Sequence, residues 1–238
     1  MKIAASALLV TLIAVGSAQT APPNGYLLRK GEARRTVEGL AIESTFAYPE
    51  FGRRIRVAPT ANPRLRRTVE EIHQTFLAEA TKLAHEIKGR MTGPFTSQVG
   101  ARVHLNSSDL VSVQFVIYQY LGGAHGMTRF ETRNFGRIGG RVRPLELADF
   151  FAPGTDPVAV IGPKILAKAR QTDGATWVRS GEVARLSKAD LRHFVATRDG
   201  LVFFFEPYLL GPYSSGSFEF RLSSAELGPA FRRGLLPK

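Results

Sequence analysis

The sequence predicts a single α+β domain in which helices pack on an antiparallel sheet. Three observations carry this. Several short stretches place apolar residues at period two, one long stretch places them at helical period, and glycine- and proline-rich corners separate them. No repeat, low-complexity tract or long linker divides the chain. Apolar residues make up 44% of it and cysteine is absent, so a buried core has to hold it together without disulfides or thiolate metal sites.

The elements follow in order. Met1 to Ala18 has one lysine, an apolar run of about a dozen residues and small residues at Gly16 and Ala18, the pattern of a secretory signal peptide cut after Ala18. The apolar run ends by Val15, short of the roughly 20 residues a membrane anchor needs. The expectation is an exported protein, periplasmic or extracellular, with no membrane span after cleavage. Residues 19–39, opening on a proline-rich stretch, are expected to form a flexible leader. Leu40, Ile42, Phe46 and Tyr48 share one face of a strand expected to stop at Pro49.

Asn62-Pro63 then offers an N-cap followed by proline at the first helical position. Leu65, Val69, Ile72, Phe76, Leu83 and Ile87 recur at helical spacing until Gly89. His73 falls at the edge of that stripe and His85 opposite, and both read as surface or flank residues. His85-Glu86 lacks the second histidine of a zinc-protease helix, because position 89 is glycine. Residues 40–99 form an N-terminal companion region of one strand and this helix.

From residue 100 to 238 the chain reads mainly as β. Arg102 to Leu105 is a short strand. Leu110 to Leu121 carries Val111, Val113, Phe115 and Ile117 on one face and Val116, Tyr118 and Tyr120 on the other, as a central strand covered on both sides requires. A hairpin turns around Gly136 to Gly140. Asp156-Pro157 opens a helix that either kinks or begins at Pro163. Phe194 to Thr197 and Leu201 to Phe205 are strands joined by a tight turn at Arg198-Asp-Gly200. Phe218 to Leu222 is the last strand, and the capping box Ser223-Ser-Ala-Glu226 starts a helix predicted to reach Leu235.

The formal charge of +12 raises a polyanion partner. The clusters Arg34-Arg35, Arg53-Arg54-Ile-Arg56, Arg64-Leu-Arg66-Arg67 and Arg232-Arg233 are short and scattered, and no nucleic-acid motif accompanies them. No nucleic-acid partner is expected.

Two corners draw attention. Tyr120-Leu-Gly-Gly-Ala-His-Gly126 frames a lone histidine with glycines, and Pro207-Tyr-Leu-Leu-Gly-Pro-Tyr-Ser-Ser-Gly216 sets two tyrosines between prolines and glycines. Gly122 and Gly123 permit positive φ where the central strand ends. An imidazole there is expected to bond free backbone groups and lock the turn. Catalysis at His125 would need a partner, and no Gly-x-Ser-x-Gly elbow surrounds Ser214 or Ser215. The five histidines form no paired ligand spacing. No catalytic residue, metal or cofactor is therefore expected, and the binding candidates are Tyr120, Gly122, Gly123, His125, Gly126, Pro207, Tyr208, Pro212, Tyr213 and Gly216. Amphipathic rings such as Tyr208 and Tyr213 are enriched at recognition surfaces.

Three stretches, Tyr118 to Gly126, Arg143-Pro-Leu-Glu-Leu-Ala-Asp-Phe-Phe151 and Gly200 to Gly216, together resemble the extracytoplasmic domain of the lysozyme-sensing anti-sigma factor RsiV. They are similar also to the accessory domain of PdaC-type peptidoglycan deacetylases. This is the domain of unknown function 3298. Phe46-Ala-Tyr-Pro-Glu-Phe51 and the helix from Asn62 resemble its companion, the 4163-like region. The resemblance implies an exported α/β domain of the cell envelope whose partner is an envelope protein, such as a lysozyme-like hydrolase, or a glycan. In the deacetylases the chemistry belongs to a separate catalytic domain. The leading expectation is a non-catalytic binding domain, and the alternative is an envelope-acting hydrolase using His125. Oligomeric state is not legible.

Overall fold

The computed structural model describes residues 20–88 and 93–237. The expected signal peptide, residues 1–18, lies outside them. The chain forms one α+β domain, but with two sheets instead of one. Strands β1 (Tyr26–Val37), β2 (Leu40–Phe51), β3 (Phe95–Asn106), β4 (Leu110–Tyr120), β5 (Met127–Ile138) and β6 (Arg141–Pro144) form a six-stranded sheet in sequential order. Strands β7 (Phe194–Ala196), β8 (Gly200–Phe205) and β9 (Phe218–Ser223) form a second, three-stranded sheet. All pairs are antiparallel except β2 and β3, which run parallel because helix α1 (Ala58–Ile87) carries the chain back across the sheet.

Side-chain parity explains the layering. On β4, Val111, Val113, Phe115 and Ile117 pack under Leu65 and Val69 of α1. The opposite face contributes Val116, which meets Phe130, Val195, Val202 and Phe204 between the two sheets. On β8 the odd positions Leu201, Phe203 and Phe205 turn the other way, onto Ile161, Ile165 and Leu166 of helix α2 (Pro157–Arg170). Alternation with period two thus lets one apolar strand serve two cores. The order of layers is α1, large sheet, small sheet, α2.

A polar seam joins the sheets. β7 presents an open backbone edge to β5, and side chains of the large sheet satisfy it. Thr132 Oγ1 accepts from Phe194 N at 3.1 Å, Asn134 Oδ1 accepts from Ala196 N at 3.1 Å, and Asn134 Nδ2 donates to Phe194 O at 3.0 Å. These polar groups are buried, and leaving any of them unpaired would cost about 1–3 kcal/mol.

Several expectations are corrected. Residues 26–37, placed in a flexible leader, form β1, paired with β2 along its whole length. The boundary set at residue 99/100 falls inside β3, which is 12 residues long where only Arg102 to Leu105 were expected. β2 continues through Pro49 to Phe51, because β3 pairs with it only over Ile42–Phe46 and leaves that edge free of ladder bonds. Helix α1 starts at Ala58, four residues before Asn62, whose amide instead bonds Phe51 N at 2.9 Å and Phe51 O at 3.0 Å. His73 is not a surface residue. It is buried against Ser44 Oγ at 2.8 Å, and burial together with the nearby Arg35 charge pushes its pKa below the usual value. α2 begins at Pro157, capped by Asp156, and accommodates Pro163. The final helix spans only Ser224–Leu227, ending at Gly228 with a positive φ of 83°.

Candidate functional site

The β4–β5 corner and the loop after β8 meet, although 87 residues separate their key groups. Gly122 and Gly123 take φ values of 94° and 89°, a bend closed to residues with a Cβ except at a cost, and Tyr120 Oη donates to Gly123 O at 3.1 Å. The chain then reaches Gly126, over which Tyr118 is packed so closely that an added Cβ would lie 2.4 Å from its ring. The Gly126 carbonyl accepts twice: from Tyr213 Oη at 2.7 Å and from His125 Nδ1 at 3.1 Å. A carbonyl only accepts, so His125 carries its proton on Nδ1 in the neutral form and keeps Nε2 as an acceptor.

His125 is exposed. It stacks on Tyr213 with ring centroids 3.6 Å apart and planes at 16°, and Tyr208 lies 5.7 Å beyond Tyr213. The second loop is anchored from below. Pro207 and Gly211 are buried, and a Cβ on Gly211 would lie 2.2 Å from the Gly174 carbonyl oxygen. Pro212 precedes the single turn Tyr213–Ser215, and Gly216 ends it at φ 70°, ψ −152°, a region only glycine enters readily. Tyr208 has φ 69° and is 48% exposed. It occupies the third position of a turn closed by Leu209 N to Glu206 O at 3.3 Å, where glycine is favoured. A left-handed tyrosine costs about 1–2 kcal/mol, and its ring recovers little of that by burial. All ten residues predicted to bind therefore converge on one corner, with Tyr118 as an unforeseen neighbour.

A second feature lies beside this corner and escaped sequence reasoning. A cleft of about 410 Å³ opens between the flank of α1 and β5, and ends at Arg192, His193 and Glu206. Glu206 Oε1 accepts from Phe130 N at 3.0 Å and lies 3.4 Å from His193 Nε2, while Oε2 lies 3.4 Å from Arg192. Burial alone would raise the Glu206 pKa. The contact with His193, the Phe130 amide and the Arg192 charge outweigh it, and the pKa is lowered. Along β5, Arg129, Glu131 and Arg133 alternate with Phe130 and Thr132, so the charged side chains face the cleft. That Arg-x-Glu-x-Arg pattern was the available signal. Nothing in the sequence announced that His193 and Glu206 would meet.

No described residue stands as a nucleophile hydrogen-bonded to His125. Among the described residues no group of three or more His, Asp or Glu gathers closely enough to hold a metal ion, and no helix is long and apolar enough to cross a membrane. Members of the arginine clusters form ion pairs, including Arg34–Glu43, Arg56–Asp109 and Arg66–Glu70.

Residues 38–128 match the family described as "Deacetylase PdaC", and residues 148–225 match "Protein of unknown function (DUF3298)". The chain is 24% identical over 213 residues to immunogenic protein MPB64 of Mycobacterium bovis, with 87% of this chain and 88% of that protein covered. Immunogenic protein MPT64 of Mycobacterium tuberculosis gives the same identity and coverage. A crystal structure of a DUF3298 family protein from Pseudomonas aeruginosa superposes with a TM-score of 0.57 at 18% identity, covering 91% of this chain and 98% of that one. A family member from Bacteroides fragilis gives 0.54 at 15%, covering 90% and 98%. The chain carries a PdaC/DUF3298-type domain, a family without an assigned function.

Proposed function

We propose that this PdaC/DUF3298-type domain is an exported, non-catalytic binding module of the cell envelope. Its recognition surface is the joined corner formed by residues 122–126 and 207–216, and its ligand is an envelope protein, such as a lysozyme-like hydrolase, or a glycan. The observation that supports this reading most is the stack of His125 on Tyr213, with both side chains tied to the Gly126 carbonyl and the outer ring left exposed. Such a corner is rigid before any ligand arrives, which lowers the ordering cost of binding. Tyr208 adds to it: an exposed ring held in a left-handed backbone contributes little to the core, as expected of a side chain retained for contact.

The hydrolase alternative draws less support. The His125 ring bonds a neighbouring carbonyl and a tyrosine face, where a general base would bond a nucleophile and an orienting carboxylate. The test is capture by the immobilised domain of purified lysozyme and of soluble cell-wall glycan fragments, repeated with His125→Ala and Tyr213→Ala. Both variants are expected to lose the ligand that the parent protein retains. Retention by both would place the surface elsewhere, and turnover of cell-wall material abolished by His125→Ala in a folded protein would restore the enzyme.

A further inference from the structure

We propose that the cleft between α1 and β5 is a subsite for a neutral saccharide. The inference rests on the binding reading above and narrows its ligand. Three guanidinium groups, Arg129, Arg133 and Arg192, line the cleft together with three carboxylates, Glu71, Glu131 and Glu206. Their formal charges cancel in a protein that is +12 as a whole. A cleft without net charge offers an ion little long-range attraction. It does offer forked donors beside carboxylates that keep lone pairs beyond those their protein partners use, the complement of a ligand rich in hydroxyls.

Those groups are held in place before a ligand arrives. Arg133 Nη1 donates to Glu131 at 2.6 Å, Arg129 donates to the Gln119 amide oxygen, and Arg192 rests on Glu206 and on the Ala189 carbonyl at 3.0 Å. Each guanidinium carries five N–H donors, so these bonds leave donors to spare. Ile72 and the exposed Thr75 on α1 add apolar and methyl surface to the lining. A sugar ring presents both aspects at once, hydroxyls at its rim and a C–H face toward the apolar groups. The volume of about 410 Å³ sits at the lower end of the range for small-molecule sites.

The position fits an extended glycan. Gly126 of the aromatic corner is three residues before Arg129, roughly 10 Å along a strand, and Glu206 of the cleft is two residues before Tyr208. One chain of sugars could lie on the rings and enter the cleft. Arg129, whose partner is the neutral Gln119, is the feature that would favour a carboxylate ligand instead.

The experiment is an amide-resolved NMR titration, with calorimetry, of the protein from residue 19 to 238, as cleavage after Ala18 would leave it, using tri-N-acetylglucosamine, maltotriose and sodium glucuronate. A trisaccharide is expected to shift amides of residues 129–133 and 192–206, with an affinity that changes less than about twofold between low and high salt. Glu131→Gln/Arg133→Gln, with unchanged circular dichroism and Tm, should weaken it about tenfold or more, the loss expected for two or more hydrogen bonds. Absence of any trisaccharide shift in the cleft, or salt-sensitive binding of glucuronate alone, would overturn the proposal. Saccharide binding lost in the cleft variant but kept in Tyr213→Ala supports the cleft even where the corner fails as a recognition surface. Ligand capture lost in Tyr213→Ala, with no sugar in the cleft, leaves the corner standing and removes this inference.

Discussion

His125 and His193 are the same side chain in opposite settings. His125, framed by glycines, is exposed and lies flat on Tyr213. His193, with no motif around it, is 6% exposed and faces the Glu206 carboxylate across 3.4 Å. The difference teaches where each kind of importance resides. At the corner the glycines shape the backbone and the imidazole fills the shape, so the arrangement is set by local conformation. At the cleft the backbone is ordinary and the side chains carry the arrangement, so the role is electrostatic and depends on groups far apart in sequence.

Substitutions can break or sharpen this contrast. The largest effect should come from Glu206→Ala. It leaves the Phe130 amide without its acceptor and strips His193 and Arg192 of their common carboxylate, a loss of about 3 kcal/mol in denaturant unfolding. The pH profile checks the cause. A carboxylate whose pKa is lowered in the folded protein adds stability that is present above the unfolded glutamate pKa, near about 4.3, and lost as pH falls through the folded value. Glu206→Ala should therefore flatten the acid limb of the stability curve; an unaltered acid limb would show that the carboxylate is not buried against its partners.

Next in size, Gly211→Ala forces a methyl group against the Gly174 carbonyl and should cost about 2 kcal/mol while displacing the loop, with ligand capture lost alongside. Tyr213→Phe keeps the stack but removes the bond to Gly126 O, for about 1 kcal/mol by thermal unfolding. The smallest change belongs to Tyr208→Gly. Relief of the left-handed backbone offsets the added entropy of glycine in the unfolded chain, so stability should stay within about 0.5 kcal/mol while binding falls. A large loss of stability there would mean that the ring serves packing and not contact.

Much of this was legible in the chain. Period-two runs located β2 and β4, a tight turn followed by an unbroken apolar run located β8, and apolar groups on both faces of β4 announced its central position because each face then needs cover. The two turns at residues 122–126 and 207–216 were legible because glycine and proline report backbone geometry directly, and backbone geometry is local. The start of α1 was misread for a related reason. Asn62-Pro63 has the local chemistry of a helix start, yet the Asn62 amide is claimed by both backbone groups of Phe51 across the fold, and the helix begins earlier. β1 was missed because its polar, charged residues pass for a leader, and only pairing with β2 turns them into a strand.

By itself, then, the amino-acid order determined the fold class, most strands and the rigid glycine and proline corners, since these follow from periodicity and from which residues tolerate which φ. Tertiary structure alone decided that two corners 87 residues apart share one carbonyl, that the small sheet docks through Thr132 and Asn134, and that His193 and Glu206 close a charged cleft. The physical reason is range: dihedral preference and hydrophobic period act between neighbours in the chain, whereas hydrogen-bond and charge partners are chosen by distance in space after the layers have packed.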